Sequence, residues 1–227
     1  MRDESHEDSG RRRGCPAGPV ARGPPDLGRR TALFNFAFEE IELKGVHEGT
    51  EEFNFEFATV KCNVASYLGL VKSKTTTASK MFLEPTYQEC ETNTGLEVEA
   101  KSEFCAWFFT SGNEEGGKFE GELDLDCLGD TDELIFIARS GGLARCTVGI
   151  PAQQGLKAIT YTNKEAGGVD DLTIDVGVTN LAYSQTEGFG FQKCASGAET
   201  NGKYSAHPTV TAKEYKGSGA AVSLWIE

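Results

Sequence analysis

The chain has 227 residues, with 35 Asp or Glu against 22 Lys or Arg and a formal net charge of −13. That length suffices for one sizeable core or two small ones. So acidic a surface repels phosphate backbones and anionic lipid, which argues against nucleic-acid and membrane-surface partners. No apolar run approaches the roughly 20 residues of a transmembrane helix, so membrane insertion is not expected.

In chain order, residues 1–32 contain seven Arg together with Pro16, Pro19, Pro24 and Pro25. They show no apolar periodicity and are expected to form a disordered tail. They hold five of the acidic residues, so 33–227 keeps 30 acidic against 15 basic residues, with Arg139 and Arg145 its only guanidinium groups. A secretory leader would show a basic start, an apolar core and a small-residue cleavage site. The nearest apolar stretch, Leu33 to Phe38, is interrupted by Asn35 and halted by Glu39 and Glu40.

From residue 33 the hydrophobic period is two, and 33–227 is expected to be a single all-β domain. Phe34, Phe36 and Phe38, then Phe53, Phe55 and Phe57, place phenylalanine on one face. Phe104, Ala106 and Phe108 interleave with Cys105, Trp107 and Phe109, so both faces of that strand are expected to be buried, with Trp107 a core anchor. Phe119 to Cys127 alternates with Glu and Asp and keeps one wet face, while Leu134 to Ala138 is a continuous apolar run suited to a central position. Further strands are expected at 144–150, 157–162, 171–178, 181–185, 203–212 and 220–226. Glycine-rich turns such as Ser140-Gly141-Gly142 and Asn201-Gly202 separate them. Only 151–157 and 39–48 could hold a helical turn. About ten short antiparallel strands predict a sandwich or barrel-like body.

Cys62, Cys90, Cys105, Cys127, Cys146 and Cys194 are scattered through this body, and none belongs to a C-x-x-C pair. That usage points to an oxidising compartment and a stapled fold. Spacing alone leaves the connectivity open. Pairing in chain order would join Cys62 to Cys90, Cys105 to Cys127 and Cys146 to Cys194; Cys15, in the tail, is left over. The competing readings are buried free thiols in a cytosolic protein, and a zinc site, which the missing close ligand pairs disfavour. Export without a visible leader implies that Met1 is not the true start, or that the leader is missing from this chain.

Other constellations carry less. Gly112 to Lys118 matches the phosphate-loop pattern G-x-x-x-x-G-K, but Phe119 replaces the magnesium-binding hydroxyl, so a hairpin loop is expected. Asp124, Asp126, Asp130 and Asp132 are weak calcium candidates, and Asp170, Asp171 and Asp175 form a second acidic cluster. A solvated acidic face is the preferred reading of both. The three histidines, His6, His47 and His207, fall in no catalytic motif, and no cofactor is expected.

Two stretches carry a resemblance. Thr59-Val60-Lys61-Cys62 with Pro85-Thr86-Tyr87-Gln88-Glu89-Cys90 resembles the "T-V-x-C … P-T-Y-x-x-C" opening of a family of uncharacterised secreted, cysteine-containing β-rich proteins of actinobacteria. Cys146 to Gln153, Ile159 to Asn163, and Asn201-Gly202-Lys203-Tyr204 with Thr209 to Ala212 resemble its second half. The resemblance runs over 53–227 and implies export and paired cysteines, but brings no catalytic residues. Members of that family normally carry a leader, and the first 50 residues here depart from the pattern.

The function expected from these observations is a non-catalytic extracytoplasmic β-protein, structural or binding, acting on a cell-envelope or extracellular ligand. The alternatives are a secreted glycan hydrolase using paired carboxylates, and a calcium-dependent adhesive or ligand-binding module.

Overall fold

The computed structural model describes residues 31–47, 49–72, 76–115, 118–129, 131–190 and 194–227. The expected tail (apart from Thr31 and Ala32), Cys15 and the calcium candidate Asp130 lie outside them. In chain order the strands are β1 (Phe34–Phe36), β2 (Glu40–His47), β3 (Glu51–Asn54), β4 (Thr59–Lys72), β5 (Thr77–Ala78), β6 (Lys80–Thr92), β7 (Glu97–Lys101), β8 (Cys105–Glu115), β9 (Lys118–Cys127), β10 (Glu133–Ser140), β11 (Leu143–Pro151), β12 (Gln153–Ala166), β13 (Val169–Glu187), β14 (Gly197–Ala206), β15 (Pro208–Glu214), β16 (Ala221–Val222) and β17 (Leu224–Ile226). The body is all-β and antiparallel. Both stretches reserved for a helical turn, 39–48 and 151–157, hold strand instead: β2 covers Glu40–His47, where buried and exposed residues alternate against β15, and β11 and β12 take up Pro151 and 153–157, with an irregular register against β9.

Three long strands organise the molecule. β4, β6 and β13 have 14, 13 and 19 residues, and each is long enough to take two successive neighbours along one edge. At one end β4–β6–β8–β9–β12–β13–β15–β2 closes on itself. At the other, β4–β6–β7–β10–β11–β13–β14–β3 closes likewise. The result is an elongated barrel of two stacked circuits that share three strands. Closure leaves these strands paired on both sides, which removes the exposed edges that invite aggregation.

Sequence punctuation is visible in the strand breaks. The expected strands 171–178 and 181–185 form one strand, with a register shift around Asn180, whose φ is 62°. The expected strand 203–212 is instead divided before Pro208, which has no N–H to donate and opens β15. In the 112–118 segment the described residues are strand, ending β8 and opening β9, with Glu114 paired to Phe119 and Glu115 to Lys118.

Inward residues fill the barrel with rings. Phe53 stacks on Tyr204 at 4.5 Å and meets Phe136 at 4.6 Å. Tyr204 in turn stacks on Trp107 at 5.1 Å. Trp107 is fully buried and donates its indole N–H to the Tyr87 hydroxyl at 2.8 Å. This pillar joins strands of both circuits at their seam. Gly45 lies opposite Tyr67, where a Cβ would come within 2.9 Å of the tyrosine Cβ, so only glycine lets that ring fold against the wall.

The two ends are plugged differently. A small sheet, β17–β1–β5, covers the first circuit, burying Phe34, Phe36, Leu224 and Ile226. Asn163 of β12 clamps it by donating to Ile226 O at 2.9 Å and accepting from Ile226 N at 2.8 Å. At the second circuit the turn at 55–58 folds inward, placing Phe55 5.0 Å from Tyr183. Phe38, expected in phase with Phe34 and Phe36, is exposed, because β1 ends at Phe36.

Candidate functional site

The six body cysteines form three disulfides, Cys62–Cys90, Cys105–Cys127 and Cys146–Cys194, with Cα separations of 4.0, 4.1 and 5.7 Å. The first two join residues already opposite one another across β4–β6 and β8–β9, so strand register selects the partner that spacing left open. The third ties β11 to the segment before β14, and joins the two most widely separated cysteines of the three pairs, 48 apart in sequence. Bonded pairs of this kind are typical of extracellular proteins.

The acidic candidates are spread over the surface. Asp124 and Asp126 project from the outer side of β9, opposite Phe108 and Ala106. Asp124 pairs with Lys80 at 3.1 Å and accepts the Gly155 N–H at 2.8 Å, so both its oxygens are engaged. Asp132 turns back over Gly129. Among the described residues no three His, Cys, Asp or Glu side chains gather as metal ligands. In the second cluster Asp175 pairs with His207 at the surface, and burial raises the Asp171 carboxyl above its usual range. No helix of the described residues is long and apolar enough to cross a membrane.

A buried polar centre was not anticipated from the sequence. Glu51 opens β3 with no exposure, accepting hydrogen bonds from the Tyr67 and Tyr204 hydroxyls, the latter at 3.1 Å. The two tyrosine oxygens lie 2.9 Å apart. His47 Nδ1 accepts the His207 backbone N–H at 3.2 Å and faces Glu51 Oε1 at 3.4 Å. Burial is the dominant influence and pushes the Glu51 carboxyl up to about 7, against the two tyrosine hydrogen bonds. The same burial drives Tyr67, Tyr87 and Tyr204 upward, so their protons stay on. The sequence did hold a signal: Glu51 has the parity of Phe53, Phe55 and Phe57, a carboxylate in phase with an apolar stripe.

Several clefts lie on the outer surface of the described residues. One lies between the β8–β9 hairpin and β12, beside the exposed Glu114, Glu120 and Glu122, and Lys157 reaches Glu122 at 3.5 Å. A second, about 380 Å³, runs over Phe82, Phe108, Phe104 and Leu128, and a third continues it across Leu68 and Leu70. Phe104 is 58% and Leu128 85% exposed, while Ala106 and Phe108 are half-buried. Burial of both faces of this strand, expected from its unbroken apolar run, is therefore wrong: Trp107 packs inward, and the other row is the floor of a groove.

The chain matches no protein-family model, no curated protein and no solved structure.

Proposed function

We propose that the protein is a non-catalytic extracytoplasmic β-barrel with a binding role, working at or outside the cell envelope, as its resemblance to secreted actinobacterial β-proteins implies. The observation that carries this reading is the set of three bonded cysteine pairs, one on each of three separate strand connections. Such bonds persist where thiols are not kept reduced. A barrel packed with aromatic rings offers its lumen to no ligand, so binding falls to the outer wall. The test is thiol trapping in the producing cells: a membrane-permeant alkylating reagent, applied before lysis, should leave the six body cysteines unlabelled until reductant is added. Labelling of all six before reduction would instead make the protein cytosolic.

Glycan hydrolysis is the second reading, favoured by one observation. Asp171, its carboxyl raised by burial, lines a cleft together with Glu42. An acid with a raised value and a second carboxylate are what that chemistry requires. However, Lys213 holds Glu42 at 2.9 Å, so the second carboxylate is already paired, and the Lys164 charge opposes the rise at Asp171. Turnover of a glycan, abolished by Asp171→Asn in a folded protein, would replace the binding reading.

A further inference from the structure

The outer groove over β4, β6, β8 and β9 has features that the barrel itself does not require. Its floor is apolar: Leu68 and Leu70 from β4, Phe82 from β6 and Phe108 from β8, the two rings stacked at 5.9 Å. At one end stand Phe104 and Leu128, the residues immediately outside the Cys105–Cys127 bridge. Leu128 donates its N–H to Phe104 O at 2.9 Å, so the disulfide and this hydrogen bond fix the backbone that carries two exposed apolar side chains. Exposed apolar groups cost solubility, and a fixed backbone lowers the ordering cost of binding. The four strands beneath are paired on both sides, so their backbone groups are engaged and recognition there falls to side chains.

The rim beside Phe104 and Leu128 is acidic: Glu84, Glu103 and Asp126 border this part of the groove, and no Lys, Arg or His is among its lining residues. At the far side Glu42 is held by Lys213, and Tyr215 lies beneath the Lys72 and Lys216 ammonium groups. A second copy of this chain, with its net charge of −13, would bring the same sign to the contact. We infer that this groove docks a cationic apolar peptide segment of another protein, its leucine or aromatic side chains on Phe82, Phe108 and Leu128 and its Lys or Arg on Glu84, Glu103 and Asp126. The inference rests on the binding role proposed above and names the partner class for it.

The experiment is calorimetric titration of the full, oxidised chain with a synthetic peptide in which Lys residues flank a Leu-Phe core. A control peptide keeps the Lys and replaces Leu and Phe with Ser. Two variants carry only exposed substitutions, Phe104→Ser with Leu128→Asn, and Glu84→Gln with Glu103→Gln and Asp126→Asn; unchanged melting confirms that each folds. The Leu-Phe peptide should bind the parent, more weakly at high salt, and each variant should lose about tenfold or more, the scale of a hot-spot side chain. The inference is overturned if the peptide does not bind, if the Ser peptide binds equally well, or if neither variant weakens binding. Binding of an oligosaccharide panel that the Phe104 and Leu128 changes abolish, with the peptide silent, would give the groove to glycans instead. All these outcomes are independent of the thiol-trapping result, so failure of the partner class and failure of the extracytoplasmic reading remain separable.

Discussion

The barrel closes its two ends by different means. Over the first circuit, the β17–β1–β5 sheet is held by apolar burial and the two Asn163 hydrogen bonds, with no covalent tie among its strands. Around the second, Cys62–Cys90 and Cys146–Cys194 bond strands that are already neighbours or flank them. The difference follows from what each end has to bury. β1 and β17 bring Phe34, Phe36, Leu224 and Ile226, enough apolar surface to drive a lid shut. β7 and β3 are short, at five and four residues, and their ladders alone hold little. Two of the three bridges thus stand around the end whose strands are shortest, while Cys105–Cys127 joins β8 to β9 in the wall of the first circuit.

Reduction should break the comparison most strongly. Each bridge restrains the unfolded chain by roughly 3–4 kcal/mol, so reductant should abolish cooperative folding or lower the melting temperature by tens of degrees. Amide exchange during partial reduction should rise first in β7, β11 and the C-terminal half of β13, not in β17. Exchange that rises first in the cap would reverse the assignment of the weaker end.

Trp107→Ala should strike both ends equally, since its ring stands in the seam pillar and its N–H serves Tyr87. The expected loss is about 3–5 kcal/mol in a denaturant melt. An unchanged melt would place the indole outside the core.

Glu51 gives the next effect, again at the seam. Its carboxyl is raised in the fold, to about 7, from an ordinary 4.5. Stability linked to it is therefore complete below about pH 4.5 and lost as pH rises through 7, to a total on the order of 3 kcal/mol. Glu51→Gln, which keeps an acceptor for the tyrosines, should flatten stability against pH and exceed the parent at pH 8. A pH slope that survives the substitution would assign it to other groups.

Asn163→Ala should be the smallest and most local change. It leaves the Ile226 N–H and C=O without their partner, at about 1–3 kcal/mol. Faster exchange should appear in 224–226 while the second circuit keeps its protection.

The alternation that made the body legible as all-β was cleanest where one face meets water, as in β9. It was misleading at β8, where Phe104 and Phe108 sit on the outside of the barrel: hydropathy alone does not separate a second buried face from an exposed apolar groove. The long strands β4 and β6 went unassigned because Val64, Leu68 and Leu70 on β4 and Phe82 on β6 interrupt the polar phase of the outer side. Cysteine connectivity stayed open since it depends on register, which only the closed ladders supply. Glu51 was hidden by its company, one acid beside another in a chain full of them, and its parity with three phenylalanines was the one clue.

The sharing of β4, β6 and β13 between both circuits governs when the chain can fold. The first circuit needs β15 against β2, and the second needs β14 against β3. Each seal joins a segment made early in synthesis to one made near the end. Until residues 197–214 have left the ribosome, neither circuit can shut and the ladders keep bare edges. Pairings so distant in sequence form slowly. The polypeptide thus spends its synthesis unclosed, and both closure of the barrel and the Cys146–Cys194 bond wait for the last third of the chain.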